Sequence, residues 1–193
     1  MLTSRAVKEL AAELKRTEPP RLALVEDKVQ LWALTTFVAP KLKREVTTPI
    51  FVFELPADEV LPDVLEKYKS EPVNLADLLK QAGYAPPYET DWRRALCGGQ
   101  GEVATDVERV TVPIESEEPK ELLLVKLIAG SGEARYMKAG LYDFFCSQLL
   151  TPRFELQGGG AWTGLPSSIT IWEGDALVGA VAAFLPDGVP EED

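Results

Sequence analysis

The chain has 193 residues, 46% of them hydrophobic, which is enough for the core of one large domain or two small ones. Its formal net charge of −11 argues against loose binding of nucleic acid over the whole surface, although a local basic strip stays compatible with it. There is no histidine, which excludes the usual Ser-His-Asp and Cys-His nucleophile systems and histidine-based metal sites.

The cysteines and the hydropathy pattern predict a reduced, cytoplasmic protein. Cys97 and Cys146 have neither zinc-ligand spacing nor a disulfide-dense context, and Cys146 is expected to be a small core residue. No apolar run reaches 18 residues, so no membrane span is expected. Residues 1–17 are too polar for a secretory signal.

The first predicted helix covers residues 2–16, with Thr3 or Ser4 as its N-cap. Its apolar stripe is expected to be buried, and its other face carries basic residues diluted by Glu9 and Glu13. Two interpretations of that face stay open, a solvated surface with local ion pairs or a strip that faces a polyanion. The stripe consists of Val7, Leu10, Ala11 and Leu14, and the basic residues are Arg5, Lys8, Lys15 and Arg16.

A hairpin and a strand-to-helix unit follow. Residues 21–25 and 29–34 read as two strands around Glu26-Asp27-Lys28, and residues 35–43 as a less regular stretch. Residues 44–48 are a possible strand, and residues 51–55 alternate as a half-buried strand does. A helix to residue 68 is expected after Pro56, and Pro62 should make it begin late or kink.

Residues 84–101 are rich in glycine and proline and read as a linker. Trp92 stands there beside Arg93 and Arg94, a combination that could stack on a base or anchor a peptide. The alternative is an inter-domain strap whose tryptophan packs into the seam, and this alternative is favoured.

The second half repeats a similar order of elements. Residues 102–114 predict a strand, residues 121–129 a buried strand or a buried helix, and residues 136–150 a helix followed by strands at 153–157, 168–172 and 177–184. We therefore expect an α+β protein of two similar helix-plus-antiparallel-sheet modules at residues 1–83 and 102–186. Residues 187–193 form an acidic tail.

No catalytic constellation stands out in the sequence. Asp58, Glu59, Asp63 and Glu66 share one predicted helix, where a solvated face is the favoured interpretation over a metal site. We expect no enzyme activity, no catalytic residue, no metal and no cofactor. A carboxylate-dependent metal enzyme is the weakest of the alternatives.

The order of elements resembles the bacterial DNA polymerase sliding clamp, the β processivity factor. Three stretches carry the resemblance. The first is residues 22–46 followed by 51–65, with a hairpin and a strand that enters a helix at Pro56-Ala57. The others are the linker at 84–94 and residues 136–186, with a Gly-Asp turn and a hydrophobic-proline end. The chain departs from the clamp pattern at residues 37–42 and at Leu185-Pro186-Asp187.

The resemblance implies a DNA-clamp-like fold that encircles double-stranded DNA or docks polymerase or other replication proteins through peptide motifs. Two modules per chain would close a six-module ring as a homotrimer. The expected DNA-facing residues are Arg5, Lys8, Lys15, Arg16 and Lys138, and the expected peptide-binding residues are Leu42, Pro87, Trp92, Arg94, Phe184, Leu185 and Pro186. The alternative is an acidic protein-interaction or inhibitor module on a clamp-like scaffold that does not bind DNA.

Overall fold

The computed structural model describes residues 1–14, 20–39, 44–69, 93, 101–114, 120–158 and 167–184. The helices of this part are α1 (Ser4–Glu13), α2 (Pro62–Tyr68) and α3 (Ala139–Gln148), with a 3₁₀ turn at Ala57–Glu59. The strands are β1 (Arg21–Val25), β2 (Lys28–Ala39), β3 (Arg44–Pro56), β4 (Glu102–Ile114), β5 (Lys120–Ala129), β6 (Ala134–Lys138), β7 (Pro152–Gln157), β8 (Ser168–Glu173) and β9 (Ala176–Ala182).

All nine strands join one antiparallel sheet in the order β1-β2-β3-β9-β8-β7-β4-β5-β6. The predicted α+β class is thereby confirmed. The meander β1-β2-β3 follows α1, the meander β7-β8-β9 follows α3, and the last strands of the two meanders pair with each other. The domain boundaries at residues 83, 101 and 186 stay predictions.

The helices pack on one face of the sheet over a cluster of aromatic rings. Phe51 and Phe53 of β3 meet Phe145 of α3 at ring-centroid distances of 5.5 Å each, and Phe154 of β7 lies 6.5 Å from Phe145. Gly179 of β9 leaves room for this packing, because a Cβ atom there would lie 3.2 Å from the Phe145 ring and 2.8 Å from the Val52 carbonyl oxygen. Aromatic pairs at such distances add to the burial of apolar area, which makes this cluster the centre of the core.

The opposite face of the sheet is buried as well, which corrects the prediction that residues 51–55 form a half-buried strand. Val52 is fully buried and Glu54 is 6% exposed, although both point away from the helices. The buried polar side chains of the described residues all lie on this second face. They are Gln30, Glu54, Gln157, Ser168 and Thr170.

Several local predictions in the first half are confirmed, and their bounds are refined. Thr3 caps α1 by accepting a hydrogen bond from the Ala6 N–H at 3.1 Å. Pro62 starts α2 at its first position, so the helix begins late rather than kinks. β3 runs through Pro49 because β2 and β3 shift register there, and a proline is tolerated at such an irregularity. The stretch expected to be irregular is regular strand up to Ala39.

In the second half, residues 121–129 form a strand, and the predicted helix is three residues shorter at its start. Tyr136, Met137 and Lys138 belong to β6, and α3 begins at Ala139. Cys146 is exposed, so the prediction of a core cysteine is wrong. Since α3 buries Leu141, Phe144 and Phe145, the next residue along the helix turns toward solvent.

Two segments of the predicted organisation lie largely or wholly outside the described residues: the linker at 84–101, except Arg93 and Gly101, and the tail at 187–193. No helix within the described ranges is long and apolar enough to cross a membrane.

Candidate interaction face of the paired helices

α1 and α3 lie side by side, and their facing ends are joined by complementary charges. The Lys138 ammonium, just before α3, donates to the carbonyl oxygen of Glu13 at the end of α1 at 2.9 Å. The Glu13 side chain in turn packs on Gly140, where a Cβ atom would overlap its carboxylate carbon. A cation at a helix C-terminus and an anion at a helix N-terminus are each stabilising. Lys138, expected to face DNA, is therefore engaged in joining the two helices.

The other predicted DNA-facing residues are on the exposed side of α1. Arg5 lies four residues from Glu9 and donates to its carboxylate at 2.7 Å, and this hydrogen bond raises the pKa of Arg5. Lys8 is exposed to solvent. Lys15 and Arg16 lie outside the described residues. Of the two interpretations of this face, local ion pairing holds at Arg5.

α3 carries a second ion pair at its exposed side. Asp143 accepts from both terminal nitrogens of Arg109 on β4, at 2.5 and 3.3 Å. Both side chains are about half exposed, so solvent screens the pair and its contribution to stability is small. Arg5 and Arg109 are thus each matched by a carboxylate, and the helical face is balanced in charge rather than basic across its described part.

A groove of about 470 Å³ separates the two helices. Ala6, Leu10 and Phe144 supply its apolar lining. Its polar lining includes Arg5 together with the carboxylates Glu9, Glu13 and Asp143. Within the described residues no group of three or more histidine, cysteine or acidic side chains is arranged to hold a metal ion.

A buried charged cluster on the opposite face of the sheet was not anticipated from the sequence. The Glu54 carboxylate accepts a hydrogen bond from the Gln30 side chain at 2.9 Å and lies 3.3 Å from the Lys28 ammonium. It also accepts hydrogen bonds from both terminal nitrogens of Arg93. Arg93 also donates to the carbonyl oxygen of Leu177 on β9 at 3.4 Å. The arginine of the predicted linker thereby binds to the sheet at the junction of β3 and β9.

That contact could have been suspected from one sequence signal. Glu54 stands inside a strongly apolar strand, where a carboxylate needs a cationic partner if it is buried. The partner itself is 39 positions away, and no local pattern identifies it.

Of the residues expected to bind a peptide, Phe184 is described. It is half-buried, and its backbone N–H donates to the carbonyl oxygen of Tyr136 on β6 at 2.7 Å. Leu42, Pro87, Trp92, Arg94, Leu185 and Pro186 lie outside the described residues, so the peptide-binding set stays a prediction.

Comparison with known proteins gives no relative from which to transfer a function. No protein family, curated protein or solved structure matches this chain significantly.

Proposed function

We propose that the protein is a non-enzymatic, sliding-clamp-like accessory factor of DNA replication or repair, whose α1–α3 face lies along double-stranded DNA. The observation that carries this proposal is the pairing of two helices on one face of a continuous antiparallel sheet. Such a surface can lie against the DNA backbone, and no element has to enter a groove to read bases.

The same order of elements in the two halves, a helix followed by a three-stranded meander, supports the proposed clamp-like fold. Leu2 stands just before α1, and its N–H donates at 3.0 Å to Glu59, just after β3. Tyr136 stands just before α3 and accepts from Phe184, just after β9. In each unit a helix and a three-stranded meander are closed by a contact between the residues that flank them. The two units meet where β3 pairs with β9, and Val52 and Ala180 form the middle pair of that ladder.

Charge balance on the α1–α3 face favours encirclement over tight binding. Non-specific affinity for DNA rises with the number of phosphates that lysine and arginine neutralise. Arg5 is shared with Glu9, and Arg109 with Asp143, so the described part of this face holds DNA weakly. Weak contacts permit sliding, and retention must then come from a closed ring, which the resemblance puts at three copies of this chain.

Two measurements test the proposal. Light scattering after size exclusion should give the mass of a trimer, and the assembled protein should stay on circular DNA at high salt but leave it once the circle is cut. A monomer at every concentration, or equal loss from circular and linear DNA, would overturn encirclement.

Matched lysine variants test which face meets DNA. Lys8→Ala should reduce the slope of log affinity against log salt by up to about one. Lys126→Ala removes the same charge from β5 on the face opposite the helices, and it should leave the slope unchanged. Equal salt slopes for both variants and the unaltered protein would contradict the proposal that α1 faces DNA.

The second candidate is an acidic protein-interaction module on the same scaffold, which does not bind DNA. The carboxylates Glu9, Glu13 and Asp143 along the helix groove favour this candidate. It predicts no measurable association with duplex DNA at about 50 mM salt, where electrostatic binding is strong.

A further inference from the structure

Over most of its length, the outer edge of β4 has no partner among the described strands. β7 pairs with Glu102 and Val103 at the start of β4, and β5 covers the other side from Ala104 to Ile114. Beyond Val103, no described strand pairs with the outer edge. Residues 105–109 are all exposed, on both faces of the strand. A free edge of this length presents N–H and C=O groups with which another extended chain can pair.

The two faces of this edge have different chemistry. Val107 is 47% exposed on the face toward α3, and Leu123 of β5 is 47% exposed on the same face. The other face carries Asp106 and Glu108, both exposed and neither within ion-pair distance of a cation among the described residues. On the face toward α3, an added strand would therefore meet Val107 and, next to it on that face, Arg109, which is paired with Asp143. On the other face it would meet Asp106 and Glu108, with Lys126 of β5 opposite Glu108 in the ladder.

The same charges disfavour pairing of this edge with a second copy of itself. In an antiparallel pair of two copies, a register centred on Val107 sets Asp106 opposite Glu108, and a register centred on Glu108 sets that carboxylate opposite itself. A register centred on Arg109 sets two arginines opposite each other. Like charges that face each other across a ladder are destabilising, and a register farther along brings Pro113, which has no N–H, into the ladder.

We propose that the outer edge of β4 binds an extended segment of a partner protein in which apolar residues alternate with lysine or arginine. The apolar side chains of the segment lie on the Val107 side, and its cations lie beside Asp106 and Glu108. The backbone bonds supply affinity, and the carboxylates select against acidic or self-derived strands. This inference does not rest on the proposed function, because it uses the backbone edge of β4 and the two carboxylates on the face turned away from α1 and α3.

The first experiment uses a fluorescein-labelled peptide of alternating valine and lysine, eight residues long, with binding followed by fluorescence anisotropy. Asp106→Asn/Glu108→Gln should weaken binding about tenfold, since each cross-strand charge pair is worth up to about 1 kcal/mol. Asp58→Asn/Glu59→Gln removes the same charge at the exposed 3₁₀ turn and should bind the peptide as the unaltered protein does. Equal weakening in both double variants would show that binding depends only on the net charge of the protein, and it would overturn the proposed site.

A second experiment tests strand addition itself. In a strand, alternate N–H groups point to the same neighbour, so N-methylation of either the valines or the lysines should abolish binding while methylation of the other set leaves it. Tolerance of both methylated peptides would overturn the proposal. So would a concentration-dependent dimer of the protein that excludes the peptide, because the edge would then belong to a second copy.

Discussion

β3 and β4 each lie third from one end of the sheet, and both have apolar and polar residues in alternation. In β3 both sets are buried, since Phe53 faces the aromatic cluster and Glu54 is held by Arg93 on the other side. In β4 the equivalent polar residue, Glu108, is exposed, and so is its apolar neighbour Val107. The alternation fixes which residues share a face, but the cover of each face comes from elsewhere in the chain.

The largest expected difference between the two regions is in the free energy of unfolding. Phe145→Ala removes the ring that meets Phe51, Phe53 and Phe154, and it should lower the free energy of unfolding by about 3–5 kcal/mol. Leu123→Ala, on the exposed part of β5, should lower it by less than about 1 kcal/mol. Urea denaturation followed by circular dichroism measures both, and similar losses would contradict the assignment of the core.

A smaller difference should separate the two glutamates. Glu54→Ala leaves Arg93 and Lys28 without their shared acceptor, so the free energy of unfolding should fall by about 2 kcal/mol, because hydrogen bonds to charged groups contribute about 1.5–3 kcal/mol. The partial exposure of both cations keeps the loss below that of a fully buried pair. Glu108→Ala should change it by less than about 0.5 kcal/mol. If the two variants unfold at the same urea concentration, the Glu54 cluster contributes nothing to stability.

The cap of α1 should have an effect of intermediate to small size. Thr3→Ala removes the acceptor for the Ala6 N–H and should cost about 1 kcal/mol of unfolding free energy. Thr111→Ala, at an exposed position of β4, serves as the matched loss of a threonine and should cost about half as much or less. Thermal unfolding of the two variants side by side measures the difference. An equal shift in Tm would contradict a stabilising contribution from the Thr3 cap.

The smallest expected effect is on the reactivity of Cys146 on α3. Although the residue is exposed as a whole, the protein around its sulfur partly removes water and raises the pKa of the Cys146 thiol, so less thiolate is present near pH 8 than in a free cysteine. In a Cys97→Ser variant, alkylation of Cys146 should be slower than that of free cysteine by a few fold and should accelerate as the pH rises above the usual thiol range. Alkylation as fast as free cysteine at pH 8 would contradict the raised pKa.

Elements governed by short-range chemistry could be predicted from the sequence. β1 and the start of β2 were predicted within one residue, because Glu26 and Asp27 interrupt two alternating runs and form the two-residue turn of the hairpin. The end of β2 was predicted five residues too early. The cap at Thr3 and the late start at Pro62 follow from the same kind of local rule.

Long-range features could not be predicted from local patterns. The cover over Glu54 depends on Arg93, and the exposure of Cys146 depends on which side of α3 meets the sheet. In the candidate site, the pairing of Arg5 with Glu9 is local and was among the open interpretations, whereas the contact of Glu13 with Gly140 depends on how the two helices meet.

The pairing of β3 with β9 has a consequence for how the chain folds. Phe51, Val52 and Phe53 pair with residues more than a hundred positions later, so the ladder between β3 and β9 closes after nearly all of the described chain has been synthesised. Until then the unpaired edge of β3 and its apolar side chains can associate with other chains, and contacts between such distant residues form slowly. Newly made chains should therefore depend on chaperones, and a fragment that ends at residue 69 should aggregate rather than fold.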